Sequence, residues 1–273
     1  MKMDLHIHST FSDGEWTPAE IIQNAADNEL HLISITDHDE IAGYHEGVAL
    51  AKIMGVTLIP GIELNTDGPD GEIHILGYQF DPDSTVLLNH IQKRQEQRIE
   101  WAKQIVEKLQ DMQYSITFED CMAHAQGGVI VRTHIAMELF AKGYFPSPQE
   151  AYNELLRKGA PAFCARPPFT AEQAIQLIHQ AGGKAFLAHP GIYDFAIQMD
   201  NLVSYGLDGI EAYHSKHTTS QTTFWREKAL ELGLMFSGGS DHHGPNSRNP
   251  FPIGSVTMDE KQILQWIKKE RIS

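Results

Sequence analysis

Hydrophobic and polar positions follow two alternating periods along the first 83 residues. Short apolar runs read MDLHI, HLISIT and VTLIPGIEL, and between them lie TPAEIIQNAADNE and IAGYHEGVALAKIMG, with helical spacing. The runs are typical of buried strands and the longer stretches of helices. The first helix begins at Thr17-Pro18-Ala19-Glu20, a capping residue followed by proline and, three residues after the cap, glutamate. The turn-rich NTDGPDG then predicts a hairpin with EIHILGYQF.

From about residue 84 the pattern becomes helical without interruption to about residue 160, beginning with TVLLNHIQKRQEQRIEWAKQIVEKLQDM. Alternation resumes after GAPAFCARPPF, with strands at KAFLAHP, DGIEAYH and LMFSGGS and helices between them. Such alternation predicts an α/β fold with a parallel sheet, either open or closed as a barrel. We therefore expect residues 1–83 and 161–273 to form one α/β domain and residues 84–160 a helical insertion.

The composition is that of a globular protein, with 41% hydrophobic and 21% charged residues in 273. No run approaches the roughly 18 apolar residues of a membrane span, and the N-terminus lacks the pattern of a signal peptide. We expect a cytoplasmic protein without a membrane partner. Its two cysteines, Cys121 and Cys164, cannot form a four-thiolate zinc site and are expected to be buried.

A formal net charge of −15 argues against binding of duplex DNA through a broad basic surface. The charge does not exclude an anionic substrate, because divalent cations held by acidic residues make a site locally positive. The 15 histidines, several of them close to carboxylates, are the more informative feature.

Histidines and acidic residues gather at the carboxyl ends of five predicted strands. These ends carry His6 and His8, the run Thr36-Asp37-His38-Asp39, Glu63, His189, and the run Asp241-His242-His243. In a parallel barrel such ends meet on one face, where active sites are built. His6 and His8 are two residues apart on one strand, so both can bind the same cation. Asp39 is expected to cap the helix that follows it.

The candidate ligands supply nitrogen and oxygen without thiolate, which favours Mn, Zn, Fe or Mg. They are His6, His8, Asp13, His38, Glu63, His74, His189, Asp241 and His243. Because these ligands exceed the needs of one ion, we expect two or three divalent metal ions with at least one bridging carboxylate.

The motifs DLHIHS, TDHD, PGIE, LAHP and GSDHH, in this order from residue 4 to 243, resemble those of the polymerase-and-histidinol-phosphatase (PHP) superfamily. The chain is most similar to its stand-alone TrpH-type phosphoesterases, which include nucleoside 3′,5′-bisphosphate phosphatases. The resemblance implies a distorted (β/α)7 TIM-like barrel whose helical insertion serves as a substrate lid.

The resemblance also implies a trinuclear metal centre, with manganese expected first and zinc or iron as alternatives. One metal would be held by His6, His8, Glu63 and Asp241; a second by Glu63, His74 and His189; and a third by Asp13, His38 and His243. Phosphate contact is implied for Arg132 and His134 in VRTHIAMEL, where relatives often have proline at Thr133. Arg166, His214 and His217 are expected near the substrate, although ordinary surface or supporting roles stay open for all five.

The expected reaction is hydrolysis of a phosphate monoester of a small nucleotide, such as a nucleoside 3′,5′-bisphosphate. A hydroxide bridging two metal ions would attack phosphorus, with Asp241, His189, Arg132 and His134 as catalytic residues. Alternatives are a 5′→3′ exoribonuclease or oligonucleotidase acting on short RNA, and a cyclic-phosphate or histidinol-phosphate hydrolase. A metal-dependent amidohydrolase and a non-enzymatic binding module are less favoured, because every ligand position is present and no strand ends in a suitable lysine.

Overall fold

The computed structural model describes residues 2–125, 130–165 and 167–267. The strands are β1 (Lys2–Ile7), β2 (Leu30–Ile35), β3 (Thr57–Leu58), β4 (Gly61–Asn65), β5 (His74–Tyr78), β6 (Lys184–Leu187), β7 (Gly209–His214) and β8 (Met235–Gly239). The α-helices are α1 (Pro18–Asp27), α2 (Ala42–Met54), α3 (Thr85–Asp111), α4 (Phe118–Ala123), α5 (Arg132–Ala141), α6 (Pro148–Ala151), α7 (Ala171–Gln180), α8 (Met199–Ser204), α9 (Thr219–Glu231) and α10 (Glu260–Trp266). A π-helical turn spans Tyr152–Leu156 and a 3₁₀ turn spans Pro190–Ile192. The predicted α/β class is confirmed.

The chain divides into two compact units, Met1–Asn89 with Pro168–Ser273, and His90–Pro167. In the second unit the described residues form helices and connecting turns around an apolar core of their own. Trp101 anchors that core by donating a hydrogen bond to the carbonyl of Cys164. As predicted, Cys121 and Cys164 are both buried. Among the described helices, none combines the length and apolar character that crossing a membrane requires.

The first unit begins with a βαβα segment that follows its local signals. As predicted, Thr17 caps α1: its hydroxyl accepts from the Glu20 amide, and the Glu20 carboxylate accepts from the Thr17 amide. Helix α2 ends at Gly55, whose φ of 73° is a left-handed conformation that glycine adopts without strain. Ile21 and Ile22 of α1 are completely buried in the cluster that also contains Ile7 and Ile33 of the strands. This packing holds the carboxyl ends of β1 and β2 in place.

The strands form two sheets, β1-β2-β3 and β4-β5-β6-β7-β8. The first is parallel, whereas in the second β5 runs antiparallel to both β4 and β6. The prediction of a parallel sheet is therefore wrong at β5. The reason lies in the hairpin, which was itself predicted: a short turn between β4 and β5 necessarily reverses the chain direction.

The two sheets do not close into a hydrogen-bonded barrel within the described residues. Isolated parallel bridges, Ile7 with His242 and His38 with Glu63, connect the two sheets instead. The first is continued by hydrogen bonds from the Asp241 amide to the His6 carbonyl and from the His8 amide to the His242 carbonyl. The sheets thus approach one another at the residues that carry the candidate ligands.

Candidate metal centre

The histidines of β1 lie on the side of the strand opposite to its apolar contacts. Leu5 and Ile7 are fully buried in the core, and the alternation of a strand turns His6 and His8 to the other face. The Nε2 atoms of the two rings are 3.1 Å apart, and each lies 3.0–3.1 Å from Oε2 of Glu63. Three potential ligand atoms from β1 and β4 therefore converge on one point.

Glu63 presents its two carboxylate oxygens to different groups of histidines. Oε2 faces His6, His8 and, at 3.3 Å, Nδ1 of His38. Oε1 lies 2.8 Å from Nδ1 of His74 and 2.9 Å from Nε2 of His189. Burial opposes ionisation of this carboxyl, but the surrounding imidazoles, with His38 first, hold the pKa of Glu63 well below its usual value. A carboxylate arranged in this way can bridge two cations.

Asp241 joins the first group from the end of β8. Its Oδ1 lies 3.3 Å from Nε2 of both His6 and His8. The residue has a left-handed backbone with φ of 54°, as His189 has with φ of 31°. Such backbone is costly outside glycine and persists where surrounding contacts impose it. Here the Asp241 amide is held by the His6 carbonyl.

A third group forms around Asp13. Its Oδ1 lies 3.2 Å from Nε2 of His243, 3.6 Å from Nδ1 of His8 and 3.9 Å from Nε2 of His38. Burial opposes the charge of Asp13, yet the neighbouring imidazoles, with His243 first, lower its pKa well below the usual value. The exposed Arg248 side chain reaches Oδ2 of Asp13 at 3.3 Å.

The donor atoms of these groups fit divalent metal ions. Three of them are buried without a hydrogen-bond partner in the described part of the chain: Asp13 Oδ1, His38 Nδ1 and His243 Nε2. Buried polar atoms normally have partners, so unpaired ones require an explanation. The potential ligand atoms lie within 4.8 Å of one another in the sets His6, His8, Glu63 and Asp241; His38, Glu63 and His74; and His8, Asp13, His38 and His243. Nitrogen and carboxylate oxygen are ligands suited to Mn, Zn and Fe.

Glu211 is a site residue that the sequence analysis missed. It is completely buried, its Oε1 lies 2.9 Å from Nδ1 of His6, and its Oε2 accepts a hydrogen bond from the His189 amide. His214 is the third residue after it, a spacing that would place the two on opposite faces of a regular strand. A bulge at Ala212 in β7 changes the alternation, so both face the site. The sequence signal for this residue was a glutamate inside the apolar strand run DGIEAYH.

Two other buried aspartates hold the loops that carry ligands. Asp37 accepts hydrogen bonds from the Ser9 amide, the Ser9 hydroxyl and the Ser12 hydroxyl, and so fixes the segment between His8 and Asp13. Asp4 accepts from the Ser240 amide next to Asp241. These contacts orient ligands without touching the point where the ligand atoms converge.

The predicted role of Asp39 as a helix cap is wrong. Its carboxylate accepts hydrogen bonds from the amide and side chain of Asn65 in β4, and its own amide donates to the Glu63 carbonyl. The residue belongs to the connection between the sheets. Glu40 instead accepts from the amides of Ile41, which precedes α2, and of Ala42, its first residue.

Of the predicted substrate contacts, His214 lies at the candidate metal centre. The Lys216 amide donates to its Nδ1, and its Nε2 is 3.2 Å from Oδ2 of Asp241. His217 is held on both sides by backbone, because its Nδ1 faces the Ala212 carbonyl and its Nε2 accepts from the Gly191 amide. Those bonds leave no ring nitrogen of His217 for a substrate.

Two of the other predicted substrate contacts belong to the helical unit. Arg132 and His134 lie in the helical unit, where Arg132 donates to the Leu156 carbonyl and stacks over Tyr152. His134 accepts from the Val131 amide at the start of α5. Arg166 lies outside the described residues.

Comparison with known proteins agrees with this geometry. A model of the PHP domain family matches residues 4–164. The chain is 34% identical over 271 residues to a 5′–3′ exoribonuclease of Haemophilus influenzae, covering 96% of this chain and 95% of the relative. It is 31% identical over 249 residues to a 3′,5′-nucleoside bisphosphate phosphatase of Chromobacterium violaceum, covering 89% and 87%. A solved Bifidobacterium adolescentis structure, assigned as a metal-dependent phosphoesterase, matches with a TM-score of 0.84 at 28% identity, covering 96% and 94%.

Proposed function

The chain belongs to the PHP domain family and is a metal-dependent phosphoesterase, and we propose that it hydrolyses a phosphate monoester of a small nucleotide, such as a nucleoside 3′,5′-bisphosphate. The observation that carries the proposal is the position of Glu63, whose two oxygens face two sets of buried imidazoles. Phosphoesterases commonly use adjacent cations to stabilise both the attacking and the leaving oxygen of an in-line displacement.

We infer two or three divalent ions, with manganese first and zinc or iron as alternatives. The proposed ligand sets are His6, His8, Glu63 and Asp241; Glu63, His74 and His189; and Asp13, His38 and His243. When bound, such ions supply Lewis acidity, which lowers the pKa of water and neutralises the charge of phosphoryl oxygens. The convergence of unpaired donors at these positions supports the assignment.

The chain's own residues prepare this site. Glu211 faces Nδ1 of His6 and so favours a proton there, which leaves Nε2 free to bind a cation. His214 donates through Nε2 to Asp241, because its Nδ1 already accepts from the Lys216 amide. Burial lowers the pKa of His38 to about 3, a shift that the nearby carboxylates of Glu63 and Asp13 oppose.

Further parts of the proposal rest on the family resemblance. They include a catalytic role for Asp241 and His189, phosphate contact by Arg132 and His134, and a substrate lid formed by residues 84–160. We also infer a distorted (β/α)7 barrel. The short separation of β3 from β4 and the two isolated bridges between the sheets support it.

A second candidate function is 5′→3′ exoribonuclease activity on short RNA, favoured by the name of the Haemophilus influenzae relative. Both activities can use one metal centre, and the difference lies in how much of the nucleic acid is bound. Product analysis on a 5′-phosphorylated oligoribonucleotide, beside adenosine 3′,5′-bisphosphate, separates stepwise release of nucleotides from release of phosphate alone.

The deciding experiment is a kinetic screen of protein stripped with a chelator and reloaded with Mn²⁺. The substrates are adenosine 3′,5′-bisphosphate, a 5′-phosphorylated RNA, a cyclic phosphate and histidinol phosphate. We expect the bisphosphate to be hydrolysed most efficiently, and turnover to disappear in Asp241→Ala. The matched control is Asp27→Asn, at an exposed carboxylate of α1. Equal, poor rates on all substrates, or normal activity in Asp241→Ala, would contradict the proposal.

A further inference from the structure

A cavity of about 390 Å³ lies beside the candidate metal centre, between α9 and the segment that follows β8. We call it the Arg226 pocket; its lining includes His214, Ser215, Thr222, Arg226, Ser255 and Thr257. Among the described residues that line it, none is aspartate or glutamate. In a protein with a net charge of −15, a cavity lined by an arginine and hydroxyl groups without a carboxylate is suited to an anion.

Arg226 has the properties of an anion-binding arginine. Its guanidinium lies over the ring of Tyr213, with Cζ 5.7 Å from the ring centroid, which restricts its orientation. No ion pair with an acidic side chain is formed by Arg226 within the described chain, and its buried Nε atom has no hydrogen-bond partner there. Its side chain also forms a hydrogen bond with that of Tyr213. An arginine has five N–H donors, so others besides the one used on Tyr213 can donate to the oxygens of a phosphate group.

The hydroxyl groups of the pocket add a second, independent observation. Ser215 Oγ is buried and also lacks a hydrogen-bond partner in the described residues. Hydroxyls of Thr222, Ser255 and Thr257 line the same cavity. Each can donate to an oxyanion, whereas none carries a charge that would repel it. Two unpaired donors, at Arg226 and Ser215, are therefore explained by one anionic ligand.

His214 connects the pocket to the metal centre. Its ring lines the cavity, while its Nε2 atom lies 3.2 Å from Oδ2 of Asp241. We propose that the Arg226 pocket binds the phosphate group of the substrate that is not hydrolysed. The inference rests on the proposed function and narrows it to nucleotides that carry two phosphate groups, as a nucleoside bisphosphate or an RNA end does. The α/β unit then supplies this contact itself.

The binding test uses metal-free protein and inorganic phosphate, measured by titration calorimetry at low salt. Arg226→Gln should weaken phosphate binding by about tenfold or more, since a charge-assisted hydrogen bond contributes ~1.5–3 kcal/mol. Lys228→Gln is the matched control, because it removes the same charge from α9 at a side chain that pairs with Glu231. Wild-type phosphate affinity in Arg226→Gln would show that the Arg226 pocket does not bind phosphate, whichever ester the enzyme hydrolyses.

The kinetic test identifies the source of the phosphate. In Mn²⁺-loaded enzyme, Arg226→Gln should raise KM for adenosine 3′,5′-bisphosphate by about tenfold while kcat and the KM for a nucleoside monophosphate change little. If phosphate binding is lost but the two KM values keep their ratio, the pocket binds free phosphate and the proposal for the substrate is wrong. Arg226→Lys should restore part of the affinity.

Folding is checked independently of these readouts. Should Arg226→Gln unfold the protein, Thr222→Val removes one donor at nearly constant volume and should weaken phosphate binding by a few-fold. Unchanged binding in a folded Thr222→Val variant, together with an unfolded Arg226→Gln variant, would assign Arg226 to packing against Tyr213 and overturn the proposal. Absence of any turnover by Mn²⁺-loaded wild-type enzyme would contradict the proposed function. The calorimetric result would still show whether the Arg226 pocket binds phosphate.

Discussion

The Nε2 atoms of His6 and His8 lie 3.1 Å apart although both rings are completely buried. Each also lies close to Glu63 Oε2. The lone pairs of these three ligand atoms repel one another unless a proton or a cation lies among them. Burial opposes protonation of His8, but hydrogen bonds to Asp241 and Glu63 raise its pKa to about 10. Positive charge is therefore favoured at this point, and a divalent cation is one means of supplying it.

Substitution of Glu63 should disturb two ligand sets at once. The oxygens of Glu63 face His6 and His8 on one side and His74 and His189 on the other. Glu63→Gln should therefore reduce bound Mn²⁺ and lower turnover by more than about 100-fold, because loss of a residue that only supports a metal ligand already costs up to about that factor. Metal content by mass spectrometry and kcat are the measurements. Glu46→Gln, at an exposed position of α2, is the control. Full metal content in Glu63→Gln would contradict the bridging role.

Glu211 is predicted to be a positioning residue. It holds His6 through Nδ1 and His189 through its amide, so Glu211→Gln should weaken metal binding by about 10–100-fold while the protein stays folded. Metal affinity is measured by competition with a chelating dye. Extra Mn²⁺ should restore much of kcat, which loss of a direct phosphate contact would not allow. Glu227→Gln on the exposed face of α9 is the control, and equal affinities for the two variants would be evidence against the assignment.

Asp37 should contribute to stability and to the position of the loop between His8 and Asp13. It accepts three short hydrogen bonds from Ser9 and Ser12, so Asp37→Ala leaves buried donors unpaired and should lower the free energy of unfolding by about 2–4 kcal/mol. Urea unfolding of the metal-free protein measures the loss. Asp83→Ala, at an exposed position before α3, serves for comparison. A loss below 0.5 kcal/mol for Asp37→Ala would contradict the structural role.

The Cys121 thiol should be unreactive in the folded protein. Burial, together with Glu138 and Asp120, raises its pKa to about 12, so almost no thiolate exists at pH 8. Labelling with a disulfide reagent should be slow before unfolding and complete in denaturant, and Cys164→Ala isolates the Cys121 signal. Since the unfolded thiol loses its proton near pH 9 and the folded one near 12, this group's stabilising contribution should decline as pH rises above 9. Rapid labelling at pH 8 would show that the site opens.

Local rules explain the parts of the fold that were correct in advance. The cap at Thr17, the glycine end of α2 and the hairpin before β5 depend on residues close together in the sequence. The alternation of β1 is equally local, and it turns His6 and His8 toward the same side. The motifs at strand ends identified seven of the nine candidate ligands for the same reason, because the carboxyl end of a strand can be recognised from its own residues.

The sequence by itself determined the α/β alternation, the helical segment, and the residue types from which a metal centre could be built. Only the tertiary structure decided which atoms meet: the two faces of Glu63, the contact of Glu211 with His6, and the position of Asp39 beside Asn65. Glu211 depends on a bulge in β7, and Asp39 on pairing between the end of β2 and β4. These are contacts between residues distant in the chain, and their geometry follows from strand pairing and packing rather than from local pattern.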